Sequence, residues 1–476
     1  MSQFGRPLSR PVLFLTGTGY FGLLCLALIL WHLAPEVVLA LTIAGIGLIV
    51  MSLRPYLGVH VFILTLFVEN AFGESKGISP MQVIGAVILA GWLVNIAMQR
   101  KAGLKFDGFA VVLLLFVVWS CVSLVYALNT QWALTHTFTY AQSALAALMF
   151  SSVVDTPARI RRVYWSFLIC ATFSTVVAMV MYYLGMTPNA SGLVGNRNLL
   201  AFYDNVAIVC AYLLLQEARL AFSRMVLIAA LPVLFFGVAL TFSRAGLIIL
   251  MVTLVVMWYR VARQRRFLLL AGSIGIICLL TYVLPTTFWM RAGSIVPAIR
   301  REQSKDTFSA RLQLWTVAAR MIKDRPVFGV GPGNFVQAFP RYARGIEHTY
   351  QNLVTHNAYI GVTAENGLAG GGLFLLIFGF AFRGARRGYV TGSATARPDL
   401  ESYAVVAEVS LLVTFLVGLS GNVEGSKCMW MFFGLAVAIQ RMAEQAISEN
   451  RREVAEEPAR VPIEGLAPWA LTRDPQ

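Results

Sequence analysis

Charge is scarce in this chain, and negative charge scarcest: 23 Asp and Glu stand against 38 Lys and Arg, and charged residues fill only 13% of 476 positions. With 58% hydrophobic residues and a mean hydropathy of +0.70, a soluble domain could not cover its surface with polar groups. The shortage excludes a soluble enzyme and predicts an all-α, polytopic membrane helix bundle. Cysteine is sparse too. All six (Cys25, Cys121, Cys170, Cys210, Cys278, Cys428) lie in or beside apolar runs, and the polar segment at 285–357 has none. That distribution supports neither a disulfide framework nor a thiolate metal site. No internal repeat is discernible, which weighs against a transporter assembled from inverted halves.

What the chain has in quantity is apolar runs of spanning length. A helix needs roughly 17–25 residues to cross a bilayer, and about twelve to fourteen such runs can be marked. They fall near 12–32, 36–53, 57–72, 81–98, 109–128, 134–154, 163–184, 199–216, 225–242, 244–260, 267–284, 358–382, 402–420 and 428–442. The first is too long for a signal-peptide core and lacks a small-residue cleavage site, so it reads as a retained span. If Arg6 and Arg10 are cytoplasmic, the loops on their side carry Arg54; Arg100, Lys101 and Lys105; Arg159, Arg161 and Arg162; Arg219 and Arg224; Arg260, Arg263, Arg265 and Arg266; and Arg383, Arg386, Arg387 and Arg397. The short loops opposite hold only Lys76, Arg197, Arg244 and Lys427. This asymmetry sets the orientation and accounts for most of the net charge of +15. The bases then face anionic lipid headgroups, and no nucleic-acid partner is implied. Both termini fall inside. The expected divisions are a membrane bundle at 1–284, an outer loop at 285–357, further spans at 358–442 and a disordered cytoplasmic tail at 443–476.

Charge on the sparsely basic side calls for a reason. Arg197 lies in Gly195-Asn196-Arg197-Asn198, and Arg244 in the short tip Thr241-Phe242-Ser243-Arg244-Ala245-Gly246. The bland reading is that each snorkels to outer-leaflet headgroups. In the outer loop, Ser309–Asp324 makes a helix with Gln313, Thr316, Arg320, Lys323 and Asp324 on one face. Leu312, Leu314, Trp315, Val317, Ala318, Ala319, Met321 and Ile322 fill the opposite arc, with Arg311 near its middle. Burial and the helix dipole both oppose a cation there, so Arg311 calls for an anion. Arg320 and Lys323 read as a solvated face.

His356 opens the span near 358–382, with Asn357 beside it and Glu365-Asn366-Gly367 following. An imidazole is suited to taking a proton at neutral pH, whereas the bland alternative is an interfacial cap residue. Of the other histidines, His32, His60 and His136 read as packed side chains and His348 as a loop residue. Gly329-Val330-Gly331-Pro332-Gly333-Asn334-Phe335 lacks a preceding strand and a following Gly-Lys-Ser/Thr, so it reads as a tight turn and not a phosphate loop. No carboxylate cluster accompanies His356, which gives no support for a metal.

Taken in order, Asn196-Arg197-Asn198, Thr241 to Gly246, Arg311-Leu312-Gln313-Leu314-Trp315 running into Arg325 to Phe335, and His356-Asn357-Ala358-Tyr359 with Glu365-Asn366-Gly367 resemble the O-antigen ligase and O-antigen polymerase superfamily. The resemblance covers about residues 190–440. It implies a metal-independent, inverting glycosyltransferase of the bacterial inner membrane, acting on the periplasmic face without cofactor. The donor would be a glycan on undecaprenyl diphosphate, and the acceptor lipid A–core (ligase) or a second lipid-linked glycan (polymerase). Arg197, Arg244 and Arg311 would bind the diphosphate, His356 would be the base, and Asn196, Asn198, Asn357 and Glu365 would support them. A flippase for lipid-linked glycans and a scaffold of an envelope machine are the rival classes; a flippase would place its polar groups nearer the midplane.

Overall fold

The computed structural model describes residues 35–68, 80–99, 106–260, 266–267, 270, 272–275, 307–346 and 354–456. Among them are fourteen α-helices: α1 (Pro35–Leu53), α2 (Pro55–Phe67), α3 (Pro80–Gln99), α4 (Gly108–Ser123), α5 (Thr130–Val153), α6 (Pro157–Tyr183), α7 (Arg197–Glu217), α8 (Ala221–Leu240), α9 (Arg244–Arg260), α10 (Thr307–Asp324), α11 (Phe335–Tyr342), α12 (Ala358–Ala394), α13 (Pro398–Gly418) and α14 (Lys427–Glu456). No strand occurs among the described residues. The chain is an all-α polytopic bundle. The span expected near 12–32, most of the one near 267–284, most of the first half of the outer loop, His32 and His348 lie outside the described residues.

Local chemistry explains where the helices begin. Proline stands in the first turn of α2, α6 and α13, where its missing N–H costs nothing. Asp107, Asn129, Thr156, Asn196 and Asn357 cap α4, α5, α6, α7 and α12 through side-chain oxygens, satisfying backbone donors that would otherwise be orphaned. At the other end of the chain α14 continues to Glu456, past residue 442 where the apolar run stops and the tail was expected.

Six helices are long and apolar enough to cross a membrane: α4 with its 3-10 extension to Tyr126, α6, α7, α8, α12 and α13. Their outward faces carry Leu114, Ile169, Phe173, Ile228 and Leu376, each more than half exposed. Such a belt belongs against hydrocarbon. The first third of α14, from Cys428 to Ile439, is buried among α5, α12 and α13. Phe378 and Phe433 meet edge-on at 4.6 Å between centroids, inside an aromatic cluster with Trp430, Phe374 and Phe116. A Cβ at Gly434 would lie 2.3 Å from the Ala147 carbonyl, so α14 and α5 approach at backbone distance.

Charge is sorted to the two ends of the bundle. One end pairs Arg260 and Arg386 with Glu408, Arg441 with Asp107 at 2.8 Å, and Arg161 with Glu217, and it stacks Arg159 and Arg162 on Tyr56. All of these arginines except Arg441, which lies within α14, belong to the loops that the asymmetry assigns to one side. Arg197, Arg244, α10, α11 and His356 gather at the other end.

Candidate functional site

α12 is broken, and the break organises this end. Gly367 has φ 72° and ψ −179°, outside any helix, so the carbonyls before it lose their intrahelical partners. The Gly-rich turn supplies replacements: Val330 N donates to Ala364 O at 3.1 Å, Gly331 N to Glu365 O at 2.8 Å, and Leu368 N returns to Pro326 O at 2.7 Å. The Glu365 carboxylate accepts from Gly333 N at 2.8 Å and Phe335 N at 3.2 Å, closing the start of α11. The turn's amides are thereby committed to α12 or, at Gly329 and Asn334, to carbonyls of their own segment, and have none to offer a phosphate, in keeping with the rejection of a phosphate loop. Asn334 fastens the same turn to the α4–α5 corner by accepting from Asn129 N at 2.7 Å. Phe328 stacks between Trp119 and Tyr126, with centroids at 5.1 and 4.5 Å.

The anchored turn carries α10, whose buried stripe is Leu314, Val317, Ala318 and Met321. Leu312 and Ala319, expected on the apolar arc, are exposed. The arc is narrower than a helical projection implies because the turn and α11 cover only one flank. Arg320 also departs from expectation. It is exposed, yet its guanidinium donates to the Tyr342 and Arg344 carbonyls at 2.8 Å each, closing the end of α11. Lys323 is exposed as expected.

Arg311 begins the stripe one turn before Leu314 and is half-buried. Its Nε is buried with no hydrogen-bond partner among the described residues. Burial and the nearby Arg244 guanidinium hold its pKa below the ordinary value. Burial and then Arg311 likewise hold His356 below the usual imidazole value. Arg311 thus lies within electrostatic reach of both Arg244 and His356, and the shift favours the neutral imidazole. Arg244 heads α9 next to Ser243, whose hydroxyl donates to Asn198 Oδ1 at 2.8 Å. This bond ties the Asn196-Arg197-Asn198 corner to the Arg244 corner, with Asn196 capping α7 through Asn198 N and Leu199 N.

His356 itself sits at φ 48°, a conformation few non-glycine residues adopt. Asn357, not His356, is the helix cap: its Oδ1 accepts from Tyr359 N and Ile360 N at 3.0 Å each, and its Nδ2 donates to Leu419 O. The cap reading of His356 therefore fails. Trp315 Nε1 donates to Thr355 O at 2.9 Å, fixing α10 against the His356 corner. The loop between α13 and α14 supplies residues that the sequence reading did not single out: Asn422 Oδ1 accepts from His356 N at 2.7 Å, and Asn422 Nδ2 reaches Glu424. Burial pushes the Glu424 carboxyl up to about 7. The only sequence signal for this loop is a polar run, Ser420 to Lys427, between two apolar spans.

Residues 228–375 match the O-Antigen ligase family model. The match contains Arg244, Arg311, His356, Asn357 and Glu365, and it stops short of Arg197 on one side and Asn422 on the other. Glycan transfer in O-antigen or lipopolysaccharide synthesis is the activity this O-antigen ligase match supports, in a multi-pass membrane protein. A search of curated proteins finds no match to the chain.

Of the expected site residues, Arg244, Arg311 and His356 come together, Asn196 and Asn198 brace Arg244 through Ser243, and Asn357 caps the helix that follows His356. Glu365 stands apart, roughly 12 Å further along α12 at 1.5 Å per residue. Its carboxylate holds the turn. Among the described residues no three of His, Cys, Asp or Glu gather in a way that could hold a metal ion.

Proposed function

We propose that the protein transfers a glycan from undecaprenyl diphosphate to an acceptor hydroxyl at the periplasmic face of the bacterial inner membrane. Arg311 carries the reading: a half-buried guanidinium with an unpartnered Nε, beside a second arginine and a neutral imidazole, is a site prepared for an anion next to a base. Arg197, Arg244 and Arg311 would grip the diphosphate, which suits permanently charged, bidentate donors. The helix starts at Arg197 and Arg244 add positive dipole ends.

The acceptor O–H gives its proton to a His356 ring nitrogen as the oxygen attacks the anomeric carbon from the face opposite the leaving group. The bond from that carbon to the phosphate oxygen breaks, its electron pair leaves with the diphosphate, and the configuration inverts. The arginines stabilise the charge that grows on the departing phosphate. Cleavage of the glycosyl diphosphate drives the transfer, and the mechanism assigns no step to a metal. Ligation to lipid A–core is the preferred reaction, because its phosphates suit Arg341 and Arg344, exposed at the same end of the bundle where Arg320 of α10 meets the end of α11.

The deciding experiment is His356→Ala in purified, reconstituted protein supplied with lipid-linked glycan and lipid A–core. Removing a positioned base should cost about 10²–10⁴ in turnover while donor binding persists. Near-normal turnover would eliminate the base role.

A further inference from the structure

A residue at φ 48° is strained, and strain of this kind persists only where the surroundings over-determine the backbone. The surroundings of His356 converge on one side chain. Asn422 Oδ1 takes the His356 N–H at 2.7 Å, while its Nδ2 donates to Thr355 Oγ1 at 3.1 Å and Glu424 Oε1 at 3.3 Å. With both Nδ2 protons engaged, the amide cannot flip, and its oxygen has to face His356. Thr355 in turn donates to Asn357 O and receives Trp315 from the helix of Arg311. The backbone at 355–357 is thus fixed between α10 and the α13–α14 loop.

We infer that Asn422, oriented by Glu424, is a positioning residue that holds the His356 imidazole against Arg311. This deepens the transferase reading and names a residue outside the region that matches the O-antigen ligase family model. Without the Asn422 oxygen the His356 backbone relaxes to negative φ, and the imidazole swings away from Arg311.

The test uses the full chain in lipid nanodiscs with ¹⁵N-labelled histidine, the His356 signals being assigned by their loss in His356→Ala. In the wild type the ring should titrate below the ordinary value of about 6.5. In Asn422→Ala it should rise toward that value. Turnover, measured with an undecaprenyl-diphosphate-linked glycan and lipid A–core, should fall about 10²-fold with the donor KM unchanged, as for a misplaced base.

The exchange variant Asn422→Asp with Glu424→Gln keeps the acceptor for His356 and reverses the donor and acceptor of the supporting pair. It should recover most of the turnover that Asn422→Asp alone loses to repulsion from Glu424. If the alanine variant does not fold, that comparison decides. An unchanged titration in Asn422→Ala, or an exchange variant no more active than Asn422→Asp alone, overturns the inference. The titration needs no substrate, so it answers even if the wild type transfers no glycan, an outcome that would sink the transferase reading separately.

Discussion

Arg311 bears on the protonation of His356, and the sign of the coupling is open to measurement. His356 lies below its ordinary value because burial and the Arg311 charge both disfavour the imidazolium. A base must be unprotonated, so transfer should be full at neutral pH and fall as pH drops through a His356 value below about 6.5. Arg311→Gln removes one of the two causes and leaves burial, so the His356 titration in the free protein should move up part of the way. A titration that stays or moves down in Arg311→Gln contradicts the proximity. Arg311→Lys separates charge from shape. It keeps the cation but loses the planar fork, so the donor KM should rise about tenfold while the His356 titration stays close to wild type. Equal donor KM values in the two proteins would mean that Arg311 acts as a point charge.

At the scale of elements, the site depends on a broken helix. Gly367 occupies a backbone region reserved for glycine, and a Cβ there would lie 1.9 Å from the Val327 carbonyl. Gly367→Ala should cost about 1–3 kcal/mol for the backbone alone, with the clash added. The loss should appear as a lower midpoint of thermal unfolding in detergent and as a detached turn with reduced transfer. Gly372, with nothing within 4 Å of its Cβ position, is the control, and Gly372→Ala should be close to neutral. Equal midpoints for the two variants would refute a structural role for the break.

The helices were legible in the sequence because a bilayer demands long apolar runs, and the described spans expected from hydropathy are helices. Arg311 stood out because one cation interrupts an apolar arc. The mating of Gly329–Phe335 with Glu365–Gly367 was not legible: it is made of backbone hydrogen bonds between segments some 35 residues apart, which leave only glycines as a trace. Asn422 was hidden for a different reason. A single polar residue in a short loop has no periodicity, and its importance comes from the strained residue it meets. Arg320 shows the converse, since an exposed face position turned out to hold a helix end through carbonyls that no side-chain pattern reveals.

Across the whole molecule, the basic end carries its arginines largely in ion pairs and stacks with its own acids and tyrosines, while the end with His356 presents a base and a half-buried arginine with an unpartnered nitrogen. This polarity separates anchoring from chemistry and bears on the choice of acceptor. Arg341 and Arg344 are exposed beside α11, and an acceptor bearing phosphates would be drawn to them through an attraction that salt screens over about 10 Å at 0.1 M. Lipid A–core meets that description, and so would an acidic repeat unit on a second lipid carrier, so electrostatics narrows the acceptor without fixing it. A deletion strain separates the two. If the reaction is ligation, a silver-stained lipopolysaccharide gel should show intact lipid A–core without its O-antigen ladder, and finished polymer should accumulate on undecaprenyl diphosphate. If the reaction is polymerisation, single lipid-linked repeats should remain unextended. An unchanged ladder with loss of a secreted polysaccharide would overturn ligation and assign the same arginines and histidine to joining repeat units.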